Sequence, residues 1–286
     1  MDSTMTLSCI QQPHQHLKAK LDHGILTLAI DRPEAKNALY GELYLWIAQA
    51  LDEADISSDV RVVILRGLND DFTAGNDMKD FMQFTQQPLQ DKAGNMPPFV
   101  LLKSAAKFSK PLIVAVKGVA IGIGVTILLH ADLVYSDDDA IFQIPFVSLG
   151  LSPEGAASQL LVKQAGYHRA AELLFSAKKF TAKTAEQVGL VNRVIKDDIY
   201  EDAKIINLII ENDVYDYAHK AAEYLTQLPL ASIKQTKALM KKDLANIIEC
   251  IDEEAEIFMQ RVKSPEMMEA VQAFMQKRKP DFTQFN

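Results

Sequence analysis

The chain has 286 residues, 48% of them hydrophobic and 24% charged, a globular composition long enough for one large domain or two ordinary ones. Its net charge of −8 argues against nucleic acid or an anionic membrane surface as a main partner, although a local basic patch can still hold a phosphate. Cys9 and Cys250 lie near opposite ends with no CxxC spacing, which points to neither a disulfide framework nor a thiolate metal site.

The segment "MDSTMTLSCIQQPHQHLKAK" lacks the basic-then-apolar layout of a signal peptide, and the final "TQFN" is no peroxisomal address. The longest apolar stretch, "GVAIGIGVTILLHADLVY", is broken by glycines and limited by Lys117 and Asp132, too short a run to span a bilayer. The expectation is a soluble protein of the cytoplasm, with no membrane partner. "GILTLAI" (24–30) alternates as a strand does and ends in the turn "DRPEAKNAL". "YGELYLWIAQALDEADIS" has helical spacing, with Leu43, Trp46, Ile47, Ala50 and Leu51 on one side. "VRVVILRG" (60–67) is a continuous β-branched run, the mark of a strand covered on both faces. "NDDFTAGNDMKDF" is a glycine-bearing turn into a helix. "QFTQQPLQDKAGNMPPF" (83–99), rich in Gln, Pro and Asn, reads as a mobile surface loop.

A helix, "FVLLKSAAKFS", and a buried strand, "KPLIVAVKG", follow; "VAIGIGVTILLHAD" reads as a helix entered through glycines, and "LVYSDDDAIFQIP" as two short strands about an acidic turn. From Gly155 the pattern turns mostly helical, through "AASQLLVKQAG", "YHRAAELLFS" and "TAKTAEQVG", with "LVNRVI" as a last extended piece. Beyond residue 200 it is helical and dense in Glu, Lys, Ala, Leu and Ile. The expected organisation is an α/β core over 1–200 and a helical region over 201–286. A strand–turn–helix order recurring at Leu26, Val62 and Ile113 suggests repeated units stacked on one another.

Three turns after buried strands can meet on one side of a sheet: "TAGNDMKD" (73–80), "KGVAIGIG" (117–124) and "SPEG" (152–155). Two offer main-chain N–H groups and the third a carboxylate, Glu154. Two amides aimed at one point form an oxyanion hole; a carboxylate across from it can remove a proton beside a carbonyl. The bland alternatives are that the glycines only allow close packing, and that Ser152, Pro153 and Glu154 are the N-cap and first turn of a helix. There is no GxGxxG pattern and no Walker lysine.

The ordered segments "GILTLAIDRPEAKNAL", "VRVVILRG", "FTAGNDMKDF", "KPLIVAVKGVAIGIGVTILLHADLVY" and "IPFVSLGLSPEGAAS" resemble the crotonase (enoyl-CoA hydratase/isomerase) superfamily over about 24–194, and the helical tail fits that family's C-terminal part. The resemblance implies a crotonase-like spiral of repeated ββα units, an acyl-CoA substrate with no separate cofactor or metal, and a homotrimer or homohexamer. Position by position, it implies Asn76 and Ile123 as the two main-chain oxyanion donors. It also implies Lys36 and Ala38 along the CoA nucleotide, with Ala74, Gly75, Asp77 and Met78 around the bound CoA thioester. Lys36 can equally be a solvated turn lysine, and Asp77 suits the capping of main-chain amides. Lys117 stands where many members have asparagine, with no account from sequence.

The departures separate activities. The two glutamates with which hydratases of this superfamily hold water are replaced by Thr126 and Phe146. Glu154 falls where monofunctional 3-enoyl-CoA isomerases carry a single base. One acid suffices to move a proton from carbon 2 to carbon 4, whereas adding water needs a second group. Phe146 and Leu149 favour a dry pocket, which raises carboxylate basicity, while a helix dipole would lower it; the sign for Glu154 stays open at this level. The alternatives are a hydratase with an unusual water site, a thioester hydrolase, a decarboxylase, or a non-catalytic acyl-CoA-binding protein. His130 reads as a hydrogen-bonded core residue and Asp137 to Asp139 as a solvated turn. Ser104, Ser148 and Ser158 lack a GxSxG setting. The tail lysines of "IKQTKALMKK" and "FMQKRKP" read as exposed helix faces, with a few of them in reach of CoA phosphates as a second possibility.

Overall fold

In the computed structural model, which describes residues 7–86, 92–196 and 213–285, the apolar runs become a six-stranded sheet in the order β1 (Leu17–Asp22), β2 (Ile25–Ile30), β3 (Val62–Gly67), β4 (Leu112–Val116), β6 (Leu133–Asp137) and β9 (Arg193–Ile195). A smaller sheet joins β5 (Val119–Ile121), β7 (Ile141–Gln143) and β8 (Lys179–Thr181). β1 pairs antiparallel with β2, and the rest of the large sheet is parallel. The helices in chain order are α1 (Ser8–Gln11), α2 (Gly41–Ile56), α3 (Met78–Gln86), α4 (Pro97–Lys107), α5 (Ile123–Thr126), α6 (Ala157–Ala165), α7 (Tyr167–Ser176), α8 (Ala182–Gln187), α9 (Val214–Thr226), α10 (Leu230–Met240), α11 (Leu244–Val262) and α12 (Pro265–Met275).

Both faces of the large sheet are covered, as the unbroken apolar runs of β3 and β4 require. Leu26, Leu28, Val63, Leu65, Val114 and Val116 face a core shared with α2 and α4. The alternate residues Ile25, Val62, Ile64, Ile113 and Ala115 face Val214, Tyr217, Ala218 and Ala222 of α9. The helical tail is continuous with this packing, because Ile247, Cys250, Ile251, Ala255 and Phe258 of α11 belong to the first core. The expected boundary at residue 200 lies outside the described residues. Among the described residues no helix is long and apolar enough to cross a membrane.

Several local expectations are corrected. "VAIGIGVTILLHAD" is not one helix: it divides into β5, the single turn of α5 and a 3-10 turn at Ile127–His130. The expected loop at 83–99 is helical through Gln86, and Ala93 and Gly94 are buried in a 3-10 turn; residues 87–91 lie outside the described residues. β1, whose "LKAKLD" half-alternates, and β8 were not foreseen. α10 buries Lys237, which was expected on an exposed face; its Nζ donates to Asp132 at 2.6 Å and to the Lys110 carbonyl at 2.7 Å. Lys117 finds its explanation here, because its ammonium pairs with Asp213 at 2.7 Å, the residue that caps the first turn of α9.

Candidate active site

The turns that leave β2, β3 and β4 are stitched edge to edge. Ala74 N–H donates to the Lys36 carbonyl (2.9 Å), Leu39 N–H to Gly75 (2.8 Å), and Asp77 N–H to Leu39 (2.7 Å). Thr73 in turn exchanges hydrogen bonds with Val119 and Ile121, and Gly122 N–H donates to Gln143 of β7 (2.9 Å). Three connections far apart in sequence thereby form one wall, and the family-implied residues Lys36, Ala38, Ala74, Gly75, Asn76, Asp77 and Met78 fall on adjoining strands of it.

Gly75 sits at φ 86, and a Cβ there would lie 2.5 Å from the Ile121 carbonyl. Only glycine permits that approach, and the approach brings the Asn76 peptide beside the loop that opens α5. The Leu39–Asn76 bridge uses the Gly75 carbonyl as acceptor and the Asp77 N–H as donor, and leaves the Asn76 N–H out of the pairing. Ile123 begins α5, where a helix has no internal acceptor for its first amides. Among the described residues neither the Asn76 nor the Ile123 amide donates to a protein group. The Asn76 side chain, by contrast, accepts from the hydroxyl of Tyr44, a fully buried residue of α2.

Asp77 caps α3, accepting from the amides of Lys79 (2.8 Å) and Asp80 (3.2 Å), and pairs with Arg32 at 2.7 Å. Burial works against the charge, but the Arg32 guanidinium and the two amides together hold this carboxyl below its usual value. Met78 starts the same helix. Ala38 is buried, whereas Lys36 is 66% exposed with its Nζ 3.7 Å from Asp71.

Glu154 is 1% exposed, and it does not stand where a helix start would put it. α6 begins only at Ala157, residues 151–154 have no regular secondary structure, and among the described residues the buried Ser152 hydroxyl has no partner. Glu154 therefore precedes α6 and is not part of its first turn, where the sequence had suggested it would lie. Neither carboxylate oxygen receives a hydrogen bond from the described residues. Burial first, and the nearby Glu254 second, push the carboxyl up to about 8; the Thr126 hydroxyl tempers the rise without reaching hydrogen-bond geometry.

Contacts tie this acid to the rest of the wall. Gly155, at φ 74, approaches so closely that a Cβ would lie 3.2 Å from Thr126 Cβ, one turn along from Ile123. The charge of Glu154 also acts on the Tyr44 hydroxyl, whose own partner is Asn76. Phe146 is buried, with its ring 6.2 Å from that of Phe258 on α11. Such an arrangement can take a proton next to a carbonyl and shelter the anion that results. His130, as expected, is a core residue; burial drives it down to about 3, and its Nε2–H donates to the Gly155 carbonyl at 2.9 Å.

Sequence reasoning missed Tyr44, Arg32 and Glu254. Glu254 left a signal: it lies on the buried stripe Ile247, Cys250, Ile251, Ala255, Phe258, where a carboxylate is out of place unless it has a partner.

The family model described as enoyl-CoA hydratase/isomerase matches residues 20–285. Enoyl-CoA delta isomerase 2 of Rattus norvegicus is 32% identical over 261 residues, which is 90% of this chain and 62% of that protein. A 2,3-dehydroadipyl-CoA hydratase of Escherichia coli is 28% identical over 259 residues, 90% of this chain and 94% of that protein. A solved structure from Acinetobacter baumannii, described as an enoyl-CoA hydratase/isomerase, is 71% identical with a TM-score of 0.83, covering 92% of this chain and 99% of the other.

Proposed function

We propose, for a chain that belongs to the enoyl-CoA hydratase/isomerase family, that its reaction is the shift of a 3-enoyl-CoA double bond to the 2-enoyl position, with Glu154 as the only base. The observation that carries this reading is a buried carboxylate raised to about 8, neither oxygen of which is bonded among the described residues; the positions where the resemblance implies water-holding acids carry Thr126 and Phe146 instead.

In the reaction the Glu154 carboxylate takes the proton from carbon 2. The electron pair of the broken C–H bond delocalises over the thioester oxygen and the existing double bond, giving a dienolate. The amides of Asn76 and Ile123 donate to the oxyanion, an interaction worth about 10²–10³ in rate per donor. Glu154 then returns the same proton to carbon 4, leaving the double bond between carbons 2 and 3. A raised carboxyl suits this shuttle, because the acid form must persist while the dienolate is rearranged. Burial also keeps solvent from exchanging the proton.

Hydration is the second reading, since relatives of this chain include a hydratase. It needs a second acid free to hold water. Glu254, the acid whose charge acts on Glu154, has both oxygens occupied by main-chain amides, which favours isomerisation. The acyl-CoA nucleotide would lie along Lys36 and Ala38, with Ala74, Gly75, Asp77 and Met78 at the thioester end. Exposed Phe274 and Met275 on α12 are apolar surface of the kind that a homotrimer or homohexamer covers.

The test is purified protein given a 3-enoyl-CoA and, separately, a 2-enoyl-CoA. Conversion of the first by double-bond migration, with slow or no hydration of the second, is expected. Rapid hydration with negligible migration refutes the proposal.

A further inference from the structure

The first turn of α6 brings no cap of its own. Ala156, at the cap position, is in the left-handed region at φ 56 and offers no side-chain acceptor. The acceptor comes instead from α11, 98 residues further along the chain: Glu254 Oε2 accepts from the Ala156 amide at 2.6 Å, and Oε1 from the Ser158 amide at 2.9 Å. Glu254 is itself 6% exposed. Short charge-assisted bonds to a helix N-terminus are among the stronger polar contacts a fold can make. His130 holds the Gly155 carbonyl at 2.9 Å. The turn that carries Glu154 is therefore gripped at its main-chain donors and at an acceptor, while the Glu154 side chain is left unbonded.

We propose that Glu254 is the positioning residue for Glu154: it fixes the 154–158 turn through two amides and holds a negative charge behind the base. The inference rests on Glu154 being that base. The titratable and hydroxyl groups facing the two acids or the turn between them are Tyr44 of α2, Thr126 of α5, neutral His130, Ser158 of α6 and Cys250 of α11. The nearby cation Lys241 bonds the His130 carbonyl at 3.2 Å.

Burial disfavours the charged form of both carboxyls, but only Glu254 is compensated by amide donors. As pH rises the pair loses its first proton from Glu254, and the resulting charge opposes loss of the second from Glu154. A stronger base and a fixed direction for its side chain then come from one remote residue.

The experiment uses the full-length protein with Glu254→Gln, Glu254→Asp and Glu154→Gln. The Glu154 carboxyl is titrated by infrared difference spectroscopy, with Glu154→Gln as the blank; no substrate is required. In Glu254→Gln, whose amide oxygen can still accept a main-chain bond, the Glu154 midpoint should fall by about one pH unit, tenfold in proton affinity. The low-pH limb of kcat/KM should move with it. Glu254→Asp, which keeps the charge, should return the midpoint towards the wild-type value. A wild-type midpoint in Glu254→Gln, or the same displacement in Glu254→Asp, overturns the inference. A displaced midpoint in a protein without isomerase activity still supports it, and overturns instead the assignment of the reaction.

Discussion

Replacing Glu154 by Gln should abolish activity and stabilise the protein, and the stabilisation should grow with pH. A carboxyl moved from 4.5 to about 8 carries roughly 4–5 kcal/mol of differential interaction, at ~1.4 kcal/mol per pH unit. Because its pKa is raised on folding, the native state holds a proton that the unfolded chain releases between these values. Stability from this group is fully present below 4.5 and is lost as pH rises through about 8. Glutamine titrates in neither state. The difference in unfolding free energy between variant and wild type should therefore climb by roughly 3 kcal/mol from about pH 4.5 to about pH 7, and level off above about pH 8.5. Urea unfolding at fixed protein concentration, followed by far-ultraviolet circular dichroism at several pH values, measures it. A difference that stays flat across this range would refute the reasoning, because it would mean that the carboxyl is not held in a desolvated site. Isomerase turnover should fall by at least about 10²-fold, the cost of losing a single oxyanion donor.

Other consequences follow from particular contacts. In wild type, kcat/KM should rise with pH, reach half its maximum near 8 and level off about one pH unit higher, since free Glu154 must be ionised to accept the proton; a plateau reached by about pH 6 in a pH-rate profile contradicts the burial argument. Gly75→Ala forces a Cβ towards the Ile121 carbonyl at 2.5 Å and displaces the Asn76 amide, so kcat should drop by about 10²-fold or more with little change in KM. Tyr44→Phe removes the donor to the Asn76 side chain and should cost about 1–3 kcal/mol in thermal or chemical unfolding. Lys237→Ala leaves Asp132 without its ammonium, 2.6 Å away beneath α10, and should cost roughly 2–4 kcal/mol, read as an earlier urea midpoint. An unchanged midpoint would show that α10 is held by other contacts.

Much of this molecule is legible in one dimension. The runs at 60–67 and 110–118 state their strands through apolar continuity, because a strand covered on two faces has no polar side to alternate with, and the run at 24–30 states its own through alternation. The glycine turns behind them state where main-chain amides can come close, and Thr126 and Phe146 stand where the family resemblance implies acids. Besides the short strands β1 and β8, the local reading failed at a helix start. Ser152, Pro153 and Glu154 have the composition of a helix start, yet α6 begins at Ala157. The amide partner for that start is supplied by Glu254, and a window of neighbouring residues holds no record of it.

The sequence by itself determined the central strands β2, β3 and β4, the glycine turns behind them and the candidate carboxylate Glu154, since each rests on a short-range pattern of side-chain chemistry. Tertiary structure alone decided how basic that carboxylate is and what holds it. Desolvation depends on everything packed around Glu154, and its neighbour Glu254 arrives on a helix 98 residues away from the turn it caps. Hydrophobic period and turn chemistry act over a few residues, whereas the field at a buried acid is summed over the whole fold.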